Sequence, residues 1–136
     1  MKILLDTHVW IWAVERPEEI GSASRQLLED SKNEIFVSPI STLEIAQLIK
    51  SGRMELKHSL SSWVKRSLSN LEAETAPFTH ETAEMAYRIP EPFHKDPADR
   101  ILAATAILEN LHLMTADEKI LSCKNIPSIN ARANRL

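Results

Sequence analysis

The sequence predicts an α/β fold, a parallel sheet sandwiched between helices, and three observations carry that prediction. Short, almost wholly apolar runs recur along the chain, as strands buried on both faces require. Helical stripes with recognisable cap residues separate those runs. Acidic residues stand just past the ends of two runs, where open α/β sheets bind their ligands.

The first run is Lys2 to Leu5, with Asp6 at its C-terminal end. Gly21 to Asp30 is a short helical candidate. Glu34 to Val37 is the second apolar run, and Ser38-Pro39 after it supplies a helix cap and a first-turn proline. The helix that follows places Ile40, Leu43 and Ile49 at helical spacing and should stop near Gly52. Between residues 59 and 71, Leu60, Trp63, Val64, Leu68 and Leu71 form one stripe, the pattern of an amphipathic helix lying on a core. Glu74 to Phe78 reads as a strand that Pro77 confines to an edge or an end. Thr79 then caps a short helix over Glu81 to Arg88. Asp96-Pro97-Ala98-Asp99 opens the clearest helix, through the alanine-rich run to Leu108. Leu111 to Thr115 is the next strand, with Asp117 just past it, and Ile126 to Ile129 is a last short one. The sheet therefore has four to five strands, and no repeat or linker interrupts residues 1–136, which suit one domain.

Composition is that of an ordinary globular protein, 43% hydrophobic and 26% charged. One cysteine, Cys123, rules out an internal disulfide and a cysteine-rich zinc site, and suits a reducing cytoplasm. The first fourteen residues carry Asp6 and His8 and read as a strand, not as a signal peptide or membrane span. A net charge of −3 argues mildly against nucleic-acid binding. Against that, the segment from Lys119 onward holds Lys119, Lys124, Arg132 and Arg135 and no acid, so it is locally cationic.

Asp6, Glu44, Asp99 and Asp117 all fall at or near C-terminal strand ends. Carboxylates gathered there repel one another, and a hard divalent cation removes the repulsion. Acids without a His or Cys cluster point to phosphate or phosphodiester chemistry more than to zinc proteolysis. The segments Leu4 to His8, Val37 to Glu44, Asp96 to Ala106 and Leu113 to Asp117 resemble, in order and spacing, the successive acidic motifs of the PIN domain. They are most similar to the single-domain bacterial and archaeal VapC-type toxins. The resemblance implies a three-layer α/β/α sandwich and an Mg²⁺- or Mn²⁺-dependent endoribonuclease. It further implies one or two ions held by Asp6, Glu44, Asp99 and Asp117, RNA as substrate, a homodimer, and a cognate antitoxin that blocks the groove.

Each acid also has a bland use. Asp6 and Asp117 suit helix starts, and Ser41 to Glu44 spells a capping box, although the Ser38-Pro39 start places Glu44 inside the helix. Asp96 and Asp99 compete for one role. The proline after Asp96 makes it the cap, leaving Asp99 as the ligand. Thr115 is a candidate support for Asp117 through its hydroxyl. Arg100 and Lys119 flank ligand positions and are candidates for phosphate contact, with solvated side chains as the alternative. His8, His94 and His112 are not at metal-ligand spacing and read as structural or surface residues. Trp10, Trp12 and Trp63 read as packing residues more than base-stacking ones. A non-cleaving PIN-like binding module and a phosphate-accepting receiver or phosphatase domain are the rival readings. The second wants further acids beside Asp6, where this chain has Leu4-Leu5 and Thr7-His8.

Overall fold

The computed structural model describes all 136 residues. Its elements run β1 (Lys2–Leu5), α1 (Thr7–Glu15), a 3-10 turn (Pro17–Glu19), α2 (Ser22–Glu29), β2 (Glu34–Val37), α3 (Pro39–Lys50) and α4 (Leu60–Leu71). They continue with β3 (Glu74–Thr75), α5 (His80–Met85), α6 (Pro97–Glu109), β4 (His112–Thr115), α7 (Glu118–Leu121) and β5 (Ser128–Asn130).

All five strands join one parallel sheet in the order β3-β2-β1-β4-β5. β1 is central, with Leu4 opposite Phe36 on one side and Leu113 on the other. Ile3, Leu4 and Leu5 are fully buried, which explains why this strand is an unbroken apolar run. Alternate side chains feed opposite layers. Ile3 and Leu5 pack with Val9, Trp10 and Trp63 from α1 and α4, whereas Leu4 and Leu113 pack with Leu102, Ala103 and Ala106 of α6. The result is the expected three-layer α/β/α sandwich.

The chain lays β2 and β3 on one side of β1, then crosses to lay β4 and β5 on the other. Strand order thus reverses between β1 and β4, and a crevice opens beyond their C-terminal ends. Asp6 leaves β1 and Asp117 follows β4 at that point.

Local chemistry sets most helix starts. The Ser38 hydroxyl accepts from the Ile40 amide at 3.1 Å, and Asp96 Oδ1 accepts from the Ala98 amide at 3.0 Å, each before a first-turn proline. Boundaries shift where turn chemistry intervenes. The edge strand is only Glu74–Thr75, ended before Pro77, and the last strand begins at Ser128 because Pro127 precedes it and lends its carbonyl to Leu113 N. The short helix stops at Met85, earlier than Arg88. No helix is long and apolar enough to cross a membrane.

Candidate active site

A cavity of about 320 Å³ lies over the β1–β4 crevice, lined by Asp6, Glu44, Asp96, Asp99 and Asp117 together with His8, Trp12 and Ala116. The four acids singled out from the sequence therefore share one space, and Asp96 joins them.

Asp6 caps α1 and is locked on both oxygens. Oδ1 accepts from Thr7 N at 2.7 Å and Oδ2 from the Thr115 hydroxyl at 2.7 Å. Burial raises its pKa above the usual aspartate value; the Thr115 and Thr7 hydrogen bonds oppose this, while the charge of Asp117 adds to it. Glu44 lies inside α3, not in a capping box, and its carboxylate is hydrogen-bonded by the Thr7 hydroxyl, which also meets Ser41 Oγ at 2.9 Å. Burial again raises its pKa, with the charges of Asp6 and Asp96 adding.

Asp99, in the first turn of α6, is pushed up to about 7 by burial and by the charges of Asp6 and Asp96, with His94 opposing. Asp117 differs. Oδ1 caps α7 by accepting from the Lys119 and Ile120 amides at 2.8 and 3.1 Å, and Oδ2 lies 2.8 Å from His94 Nε2. Burial pushes its pKa upward, but His94 and the α7 amides outweigh this and hold it below the usual range. Helix capping and site membership are thus compatible for Asp6, Asp96 and Asp117, because each oxygen of a carboxylate can serve a different partner.

His94, read from the sequence as structural or surface, is structural: its ring is largely buried, Phe93 packs edge-on at 5.4 Å, and Nε2 has no partner besides Asp117. His94, Asp99 and Asp117 present one nitrogen and two carboxylate oxygens within 4.8 Å of one another. Asp6 and Glu44 share the cavity but lie outside that tight group. Thr7 is the other residue that sequence reasoning passed over; its buried hydroxyl ties α1 to α3 through Glu44 and Ser41.

Arg100 is also corrected. It is only 5% exposed, donates to the Ala86 carbonyl at 3.1 Å and to Glu91 at 2.9 Å, and lies under Tyr87. A guanidinium so engaged is unavailable to a phosphate. Lys119 is exposed on α7, beside Asp117.

Thr115 serves two acids at once. Fully buried, it donates to Asp6 Oδ2 and accepts from Asp117 N at 3.0 Å. Thr115→Val would strand both partners, so stability should fall by about 1–3 kcal/mol. Thr115→Ser, which keeps the hydroxyl, should lose less. Urea denaturation of the three proteins checks this, and a valine variant as stable as its parent would remove Thr115 from the network.

The protein-family model described as PIN domain matches residues 3–124. Ribonuclease VapC22 of Mycobacterium tuberculosis is 33% identical over 120 residues, spanning 88% of this chain and 90% of its own length. Among solved structures, VapBC2 from Rickettsia felis bound to a promoter DNA fragment superposes with a TM-score of 0.69 at 21% identity, covering 96% of this chain and 98% of that one. FitAB bound to an IR36 DNA fragment gives 0.66 at 22% identity and covers 96% of each chain. At such identities the two structures speak for the fold alone.

Proposed function

Since the chain belongs to the PIN-domain family, we propose that it is a metal-dependent endoribonuclease and the toxin of a toxin–antitoxin pair. The observation that carries this reading is the convergence of Asp6, Glu44, Asp99 and Asp117 on one cavity, with Asp99 pushed up to about 7. In this reading residues 1–136 are one domain, which is supported by both core clusters packing on the same sheet.

The donor set fits a divalent cation. Carboxylates whose pKa values are raised by burial and mutual repulsion are stabilised when positive charge arrives, and oxygen donors suit Mg²⁺ or Mn²⁺. Asp6, Glu44, Asp99 and Asp117 would hold one or two such ions. When bound, the metal supplies an activated water and stabilises the departing 3′ oxygen. The protein's own groups do the positioning. Thr115 and Thr7 aim Asp6, the Thr7 hydroxyl orients Glu44, and His94 with the α7 amides fixes Asp117. With Arg100 buried, Lys119, exposed beside Asp117, is the candidate phosphate contact next to the acids. A cognate antitoxin that covers the groove, a homodimer and a cytoplasmic site of action complete the proposal; the structural relatives are themselves VapBC and FitAB assemblies.

Incubating the purified protein with single-stranded RNA tests it. Cleavage should require Mg²⁺ or Mn²⁺, stop with chelator, and leave 5′-phosphate and 3′-hydroxyl ends. RNA retained but never cut, with either metal, would favour the non-cleaving module instead.

A further inference from the structure

The three tryptophans have different fates in the fold. Trp10 is fully buried and donates from Nε1 to Ser67 Oγ at 3.1 Å. Trp63 is 9% exposed, donates to Glu15 at 2.9 Å, and packs on Trp10 at 4.9 Å between ring centres. Both are core residues with satisfied indole N–H groups. Trp12 is half-buried and lines the carboxylate cavity.

Over the Trp12 ring, at 4.6 Å, sits the guanidinium of Arg132. Arg132 also reaches Glu19 at 3.1 Å, yet its side chain stays 54% exposed. It does not hang on a loose tail. Ala131 N donates to the Thr115 carbonyl at 2.8 Å, Gly21 N donates to the Ala131 carbonyl at 2.9 Å, and Arg132 N donates to Asn130 Oδ1 at 2.9 Å. The backbone beside Arg132 is thereby stitched to β4 and to the start of α2. An arginine with a fixed stem, a stacked planar head and an exposed edge stands at the rim of a cavity walled by acids.

RNA needs such a feature here. Its phosphates approach a cavity lined by Asp6, Glu44, Asp96, Asp99 and Asp117, and Arg100 is buried elsewhere. A cation at the rim offsets the repulsion for a neighbouring phosphate, and the aromatic–guanidinium pair offers a flat surface to an unpaired base. The exposed contact with Glu19 is weak enough for a phosphate to replace. We propose that the Trp12–Arg132 stack seats one nucleotide flanking the scissile phosphate, its base against the stack and its phosphate on the Arg132 edge. The proposal rests on the ribonuclease reading and adds a substrate subsite to it.

The test measures binding of a fluorescein-labelled single-stranded RNA to the full-length protein carrying Asp99→Asn to block cleavage. In that background Trp12→Leu and Arg132→Gln should each weaken binding roughly five- to 150-fold, the range for losing one base stack. Trp12→Phe should recover much of the affinity, and it should also abolish RNA-induced quenching of tryptophan fluorescence, since Trp10 and Trp63 are buried. Arg132→Gln should reduce the salt dependence of binding by about one counterion. With Asp99 intact, both variants should lose more in KM than in kcat. Unchanged RNA affinity and quenching in the variants, or loss only of an antitoxin contact, would overturn the stack while leaving the ribonuclease reading in place. Affinity that merely follows a lowered melting temperature, with no rescue by Phe, would overturn it too. A parent protein that neither binds nor cuts RNA would overturn both.

Discussion

Replacing Asp99 by Asn should reduce RNA cleavage by orders of magnitude without lowering the stability of the metal-free protein. Burial and the charges of Asp6 and Asp96 push the Asp99 pKa up to about 7, so its charge is held against the surroundings. Asparagine keeps the shape and removes that charge. Its place in the first turn of α6 stabilises by less than about 1 kcal/mol. Asp96→Ala should behave in the opposite way. It deletes the cap on the Ala98 amide, which costs about 0.5–2 kcal/mol, and much of the cleavage should survive. Chemical denaturation and single-turnover cleavage of the two variants separate the roles. If Asp99→Asn cleaves like its parent while Asp96→Ala is folded and dead, the assignments are reversed.

The sequence was most legible where burial or local geometry leaves one solution. Lys2–Leu5 reads as a strand because its last three residues are buried whichever way they point, and Ser38-Pro39 and Asp96-Pro97 read as helix starts because cap and proline act on neighbouring amides. Arg100 was misread because adjacency in sequence is not adjacency on a helix. Successive residues are about 100° apart, so the turn that aims Asp99 at the cavity aims Arg100 toward Ala86 and Glu91. His94 was missed for another reason. It lies in an irregular stretch between α5 and α6, whose path no periodicity encodes, and only the folded chain brings it to Asp117. The sequence shows that the C-terminal segment is cationic but not how it is anchored, since the backbone hydrogen bonds from Gly21 to the Ala131 carbonyl and from Ala131 to the Thr115 carbonyl leave no mark on composition.

Divalent cation should raise the melting temperature, and more at pH 8 than at pH 5. Asp6, Glu44 and Asp99 all have folded-state pKa values above their ordinary ones. The folded, metal-free protein therefore keeps protons that the unfolded chain has released, and stability falls as pH rises. For Asp99 the loss runs from its ordinary 3.8 up to about 7 and is complete above that. Asp117, held low, acts in the other sense: its stabilisation is present above the ordinary value and is lost only on acidification through its lowered pKa. Between pH 5 and 8 Asp99, whose folded-state pKa lies inside that window, dominates. A cation that binds only the folded state stabilises by about 2.7 kcal/mol at a hundred times its Kd, roughly 10 °C for a chain of this size. At pH 5 protons already occupy Asp99 and compete with the metal, so the gain should shrink. Asp6→Asn with Asp99→Asn should raise the melting temperature of the metal-free protein at pH 8, since asparagine still caps α1 and two repelling charges are gone. The same double variant should lose the response to Mg²⁺ and Mn²⁺. Thermal melts with metal or chelator at both pH values decide this. An undiminished shift in the double variant would place the cation elsewhere on the protein, and a larger shift at pH 5 would reverse the electrostatic argument for the site.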